Sequence, residues 1–138
     1  PRENRWRLAA LWERRQAAKF NGVSYPVQRA AEAALSPEGL AHARANVRFY
    51  LENAAALRRA AERAGLVCFG GENAPYVWVR CPNGMKSWEW FDLLLREKRI
   101  VCTPGAGFGA CGEGYVRFSA FGAREDTLEA AERLQRLP

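Results

Sequence analysis

Five glycines fall within the ten residues from Gly105 to Gly114, and that stretch limits what the chain can become more than any other. Each glycine costs backbone entropy and offers no side chain to pack, so neither a stable helix nor a strand is expected there. The segment reads as a loop that lets backbone pass close to something. It gives way at once to Tyr115–Phe121, whose alternation and aromatic and β-branched content predict a strand. On such a strand Tyr115, Arg117, Ser119 and Phe121 share one face, and Val116, Phe118 and Ala120 the other. Arg117 is then a permanently charged guanidinium in an otherwise apolar strand, just beyond a glycine loop. It needs an anion, either a ligand or a neighbouring acid such as Glu113.

Gly107-Phe108-Gly109-Ala110-Cys111-Gly112 matches G-x-G-x-x-G letter for letter. That pattern marks a dinucleotide site only when a strand precedes it and a helix opens from its last glycine. Here another glycine and a strand follow, so no helix N-terminus is available for a pyrophosphate. The dinucleotide reading is rejected.

The remaining composition excludes several classes. The chain has 138 residues, 49% of them hydrophobic, which is one domain's worth of material with enough apolar surface for a core. Its net charge of +6 comes from eighteen arginines against three lysines. Most of the arginines fall on helical stretches with glutamates at helical spacing, Glu52 with Arg59 and Arg63 for example. That is expected of a solvated helix surface; a nucleic-acid footprint would be a denser one-sided stripe. The four cysteines, at 68, 81, 102 and 111, form no C-x-x-C pair, and the single histidine, His42, is remote. Neither zinc nor a disulfide framework is expected, and free thiols suit a reducing compartment. No apolar run approaches the roughly 18 residues of a membrane span, and no signal-peptide pattern opens the chain. A soluble, cytosolic type of protein is expected.

Taken in order, residues 2–18 predict a helix with Trp6, Ala9 or Ala10, and Trp12 or Glu13 on successive turns. An Asn21-Gly22 turn signal ends it, and Ser24 stands as cap to a second helix running to about Leu35, with Pro26 in its first turn. Ser36-Pro37-Glu38 starts a third helix that nothing interrupts before Gly65, roughly 28 residues or about 42 Å. Its narrow stripe is Leu40, Val47, Leu51, Ala54, Leu57 or Arg58, and Ala61, a face slim enough for a bridge between domains. Beyond Gly65 the period becomes alternating. Strands are expected at Leu66–Phe69, Ala74–Cys81 and Ile100–Cys102. Between the last two, Ser87 caps a helix over Trp88–Arg99 with Trp88, Phe91 and Leu94 or Leu95 inward. After the Tyr115–Phe121 strand, Asp126-Thr127-Leu128-Glu129 resembles a capping box, opening a last helix with Leu128, Ala131, Leu134 and Leu137 inward. The expected order is α-α-α-β-β-α-β-β-α: an α/β unit from Leu66 onward, a small sheet with helices on one face.

Several segments, in order, also carry a resemblance. They are Lys19-Phe20-Asn21-Gly22-Val23-Ser24-Tyr25-Pro26-Val27-Gln28, Asn73-Ala74-Pro75-Tyr76-Val77-Trp78, Pro82-Asn83-Gly84-Met85, Thr103-Pro104-Gly105-Ala106-Gly107-Phe108-Gly109, Gly112-Glu113-Gly114-Tyr115-Val116-Arg117 and Ala120-Phe121-Gly122-Ala123-Arg124-Glu125. From about Trp12 to Leu137 the chain resembles the LL-diaminopimelate aminotransferase family, which belongs to the class I/II, fold-type I enzymes that use pyridoxal 5'-phosphate. T-P-G-x-x-F-G with G-x-G-Y-x-R indicates the superfamily; K-F-N-G-x-S-Y and N-A-P-Y narrow it.

The resemblance implies the C-terminal third of such an enzyme. Residues 1–35 would be a remnant of the large cofactor-binding domain, 36–65 the long interdomain helix, and 66–138 the small C-terminal domain. It implies amino-group transfer between amino-acid and 2-oxo-acid substrates, diaminopimelate with glutamate and 2-oxoglutarate, in lysine biosynthesis. It also implies a homodimer, with neither nucleic acid nor membrane as partner, in the cytoplasm or in the plastid of a plant or alga. Arg117 corresponds to the arginine that grips the substrate α-carboxylate, and Asn21 to an asparagine near cofactor and substrate in a site shared between subunits. The Schiff-base lysine is expected before residue 1, since Lys19, Lys86 and Lys98 lack its context; this chain alone is therefore expected to be inactive, with no catalytic residue of its own and no metal. Cys102 departs from a common glycine, and Ala110-Cys111 from a proline followed by a small residue. These changes bear on loop stiffness and substrate preference, and Cys111 could confer thiol sensitivity. Two rival readings stand beside this one: a non-catalytic binding or regulatory module on the same fold, and an Arg/Trp-rich nucleic-acid binder whose affinity would fall steeply with salt.

Overall fold

The computed structural model describes residues 2–20 and 22–136, with side chains from Arg7 onward. The side chain of Trp6, and Asn21 and Leu137, fall outside the described residues. The chain divides into two compact units, residues 1–44 and 45–138. The first holds α1 (Arg2–Lys19), α2 (Tyr25–Ala34) and the beginning of α3 (Pro37–Arg63). Trp12, Phe20 and Tyr25 are exposed, and α2 has no buried residue. Ser24 occupies the N-cap position of α2, but its side chain makes no capping bond. Ser36 does cap: its Oγ accepts from the Gly39 N–H at 3.1 Å at the start of α3.

The stop at the other end of α3 is the expected one. Gly65 takes φ +73°, which favours glycine. The Gly65 N–H donates to Glu62 C=O at 3.0 Å and the Leu66 N–H to Ala61 C=O at 2.9 Å, a paired closure of the last turn. The buried face of α3 is shorter than its apolar stripe: Asn53, Ala54, Leu57, Ala60 and Ala61 are buried, whereas Val47 is exposed. Small residues on that face let the helix lie close to the sheet beneath it.

The second unit is built on an antiparallel sheet in the order β1-β2-β4-β3, with β1 Cys68–Gly70, β2 Tyr76–Arg80, β3 Thr103–Pro104 and β4 Tyr115–Ser119. Alternation decides the faces. Val77, Val79, Val116 and Phe118 are buried in one cluster with Ala54, Leu57 and Ala61 of α3, Trp90 and Leu94 of α4 (Ser87–Lys98), and Ala131 and Leu134 of α5 (Arg124–Gln135). The order and the one-sided layering match the expectation, and no described helix is long and apolar enough to cross a membrane.

Local readings differ in instructive ways. Ile100–Cys102 is not a strand; the two-residue β3 lies just beyond it, inside the stretch read as loop, with Thr103 opposite Arg117 and Pro104 opposite Val116. Trp90, not Trp88, is the buried tryptophan of α4: the face that meets the core is Ser87, Trp90 and Leu94, while Trp88, at the same helical spacing from Phe91 and Leu95, is exposed. Ser87 is the first residue of α4, and Glu89 caps the Lys86 N–H at 2.9 Å. Helix α5 starts at Arg124, so Asp126 sits within its first turn and caps nothing. Glu52 pairs with Arg124 across elements, not with Arg59 or Arg63, while Arg58 binds Glu62 and Glu72.

Asn53 is the polar residue that the stripe did not reveal. Fully buried, it donates through Nδ2 to Ala120 C=O at 3.2 Å and Gly122 C=O at 3.1 Å, fastening the end of β4 and the turn before α5 to α3. Asn53→Ala strands both carbonyls and is expected to lower stability by about 1–2 kcal/mol, read from denaturant midpoints at unchanged slope.

Candidate functional site

The open face of the sheet carries the residues that alternate with the core: Tyr76, Trp78 and Arg80 on β2, and Tyr115, Arg117 and Ser119 on β4. Register places Trp78 beside Arg117 on one side and Thr103 on the other. The strand therefore aims Arg117 outward from the middle of the sheet, its Cα fixed by pairing on both edges.

Its guanidinium is flanked by two rings. The Arg117 Cζ lies 4.3 Å from the Tyr76 ring centroid and 4.2 Å from that of Phe108. Phe108 in turn meets Trp78 edge to face at 5.2 Å. Arg117 is half-buried, and its Nε is buried without a hydrogen-bond partner. Among the described residues the Arg117 side chain enters no hydrogen bond and no ion pair. Glu113, the acid that could have paired with it, is engaged elsewhere: its Oε1 accepts from Ser87 N–H at 2.8 Å and Gly114 N–H at 3.0 Å. A half-buried cation with no side-chain partner, beside two aromatic rings, leaves donors for a ligand. Two parallel charge-assisted bonds to a carboxylate match those donors.

The glycines that opened the sequence reading do their work inside the loop. Gly105–Phe108 and Ala110–Gly112 are short 3-10 turns, not shapeless chain. A Cβ on Gly112 would stand 2.0 Å from the Gly105 carbonyl oxygen, and one on Gly105 would stand 2.1 Å from that of Gly112. The close approach is between the two limbs of the loop themselves. Gly109, at φ +108°, supplies the reversal between the turns. The result is a closed glycine knot that presents Phe108 to Arg117.

Ser87 ties this knot to α4. Its hydroxyl donates to Gly112 C=O at 3.3 Å and accepts from Gly114 N–H at 3.0 Å. The Ser87 and Gly114 N–H groups hold the Glu113 carboxyl below the usual carboxylate range. A lowered folded-state value stabilises above the unfolded value, about 4.3, and that contribution is lost as pH falls through the folded one. Wild-type melting temperature is thus expected to fall between about pH 5 and 3, and Glu113→Gln to flatten that part of the profile in thermal melts across pH.

Next to the arginine lies an open pocket of ≈ 500 Å³, lined by Phe69, Trp78, Phe108, Cys111, Gly112 and Tyr115. Cys111 is exposed at its edge. Cys81 and Cys102 are passive, since burial pushes their thiols up to about 11 and about 12. No cluster of metal-ligating side chains occurs among the described residues. The lysines do not build a cofactor cradle here: Lys98 Nζ donates to Arg136 C=O at 2.7 Å, while Lys19 and Lys86 stand at helix ends. Of the two site residues read from sequence, Arg117 stands at this face, and Asn21 lies outside the described residues. Tyr76 and Phe108 were not singled out; the period-2 placement of Tyr76 beside Trp78 was the available signal for the first.

Comparison with known proteins adds the following. A family model described as aminotransferase class I and II matches residues 10–134. A curated LL-diaminopimelate aminotransferase of Methanosphaera stadtmanae is 50% identical over 134 residues, which is 97% of this chain and 33% of that protein. Among solved structures, L,L-diaminopimelate aminotransferase from Chlamydomonas reinhardtii is 45% identical with a TM-score of 0.83, covering 93% of this chain and 31% of that one. An aromatic aminotransferase from Pyrococcus horikoshii is 30% identical with a TM-score of 0.71, covering 78% and 29%. The chain spans about one third of the length of these relatives.

Proposed function

The chain belongs to the class I and II aminotransferases, and from that premise we propose that it is the C-terminal part of an LL-diaminopimelate aminotransferase in which Arg117 binds the substrate α-carboxylate. The observation that carries this reading is the unpaired guanidinium, with its buried Nε, flanked by the Tyr76 and Phe108 rings. The half-identical curated relative supports the substrate.

Class I and II aminotransferases work with pyridoxal phosphate, which supplies the electron sink for moving the amino group. The residues at the Arg117 face fit a carboxylate. What this part contributes is binding and orientation. The guanidinium takes the carboxylate through two parallel bonds, the neighbouring rings limit its solvation, and a substrate so held presents its α-carbon in one geometry. The family resemblance assigns Asn21 a role toward cofactor and substrate. The whole enzyme is a homodimer acting on amino and 2-oxo acids in lysine biosynthesis, in the cytoplasm or in a plastid.

The test uses the complete protein with pyridoxal phosphate, LL-diaminopimelate and 2-oxoglutarate, following glutamate. Turnover with diaminopimelate is expected. Turnover with aromatic amino acids and none with diaminopimelate would assign another class I/II specificity. Failure of every amino donor would favour a non-catalytic module.

A further inference from the structure

Phe108 belongs to a motif on which the sequence reading placed no role, yet it makes the closest recorded ring approach to Arg117, 4.2 Å from its Cζ. It is 49% exposed, so it is not there to fill the core. It closes the first 3-10 turn of the glycine knot, immediately before Gly109 at φ +108°. The mutual approach of Gly105 and Gly112, which no side chain could share, fixes that turn. Ser87 fastens Gly112 and Gly114 to the start of α4. All of this backbone constraint ends in one side chain laid against one guanidinium.

We infer that Phe108 is a positioning residue for the substrate carboxylate: its ring, together with that of Tyr76, restrains the Arg117 guanidinium for its grip on the α-carboxylate. The inference rests on the carboxylate role proposed for Arg117. An unrestrained arginine carries substantial rotamer entropy, and each hydrogen bond to a ligand must overcome it. Stacking removes that freedom beforehand and leaves the in-plane donors open, because a ring face competes for the cation's face and not for its edge. It also keeps water off the faces, so the guanidinium meets the carboxylate in a less polar setting, where the pair attracts more strongly. Trp78, edge to face with Phe108 at 5.2 Å, limits how far that ring can swing.

The experiment compares Phe108→Leu, which keeps apolar bulk and removes the ring, with Phe108→Tyr, which restores it, in the complete holoenzyme. Substrates are LL-diaminopimelate and cadaverine, the same chain without carboxylates, followed in single turnovers of the cofactor absorbance. Phe108→Leu is expected to lower kcat/KM for diaminopimelate about tenfold, chiefly through KM, and to leave cadaverine within about twofold. Phe108→Tyr is expected to recover most of the loss. An unchanged diaminopimelate constant in Phe108→Leu overturns the inference, as does an equal loss on cadaverine. If Arg117→Ala discriminates between the two substrates in the same assay, such a failure belongs to Phe108 alone. If Arg117→Ala does not discriminate, the carboxylate reading fails and the inference with it.

Discussion

Arg117→Ala in the complete enzyme is expected to lower kcat/KM for the amino acid by roughly thirty- to several-thousand-fold. The range corresponds to the about 2–5 kcal/mol lost when one partner of a buried, hydrogen-bonded charge pair is removed. Arg117→Lys is expected to lose less, because the charge remains, yet still substantially. An ammonium cannot make the two parallel bonds of a planar fork, nor stack on the Tyr76 and Phe108 rings as a planar guanidinium can. Both variants should keep the resting absorbance of the bound cofactor, since the proposed role gives Arg117 to the substrate carboxylate. The check is steady-state kinetics alongside that spectrum. A shifted spectrum with unchanged kinetics would place the arginine on the cofactor instead.

The second large effect is expected at a residue that touches no ligand. Gly112→Ala puts a methyl group 2.0 Å from the Gly105 carbonyl oxygen, backbone against backbone, so the two limbs of the knot must separate. Overpacking of this kind costs about 1–3 kcal/mol and sometimes more. Because the knot carries Phe108, the variant should lose both melting temperature and affinity for the amino acid. Gly107→Ala is the internal control: in the same loop a Cβ there meets nothing within 4 Å. It should be close to neutral, or slightly stabilising through a less flexible unfolded chain. Equal behaviour of the two variants in thermal melts would mean that the knot is not closed as described.

These two residues also show what could and could not be read from the sequence. Arg117 was legible because alternation in Tyr115–Phe121 left one charge on an apolar strand, and the sheet confirms that geometry residue by residue, from buried Val116 to exposed Ser119. The order of elements was legible for the same reason: periodicity is local. The purpose of the glycines was not. Close passage was foreseen, but that the partner is Gly105 for Gly112 depends on how the loop folds back, a contact between positions seven apart with no side chain to announce it. Trp88 and Trp90 were confused because α4 is apolar on two faces at the same spacing, Trp88-Phe91-Leu95 and Trp90-Leu94, and periodicity does not say which of them meets the core. Asn53 was hidden by its polarity, since a stripe of apolar residues leaves out a buried amide whose partners lie on distant turns. The free guanidinium was half legible: Glu113 stood nearby in sequence as a rival, and only its capture by Ser87 and Gly114 removes it.

The most direct measurement is the ratio of kcat/KM for LL-diaminopimelate to that for cadaverine, taken in wild-type and Arg117→Ala holoenzyme. If Arg117 holds the α-carboxylate, the substitution collapses the ratio by nearly the whole loss on the amino acid, because the diamine has no carboxylate to lose. A ratio that stays constant while both constants fall together would make Arg117 a structural residue of the sheet and contradict the account.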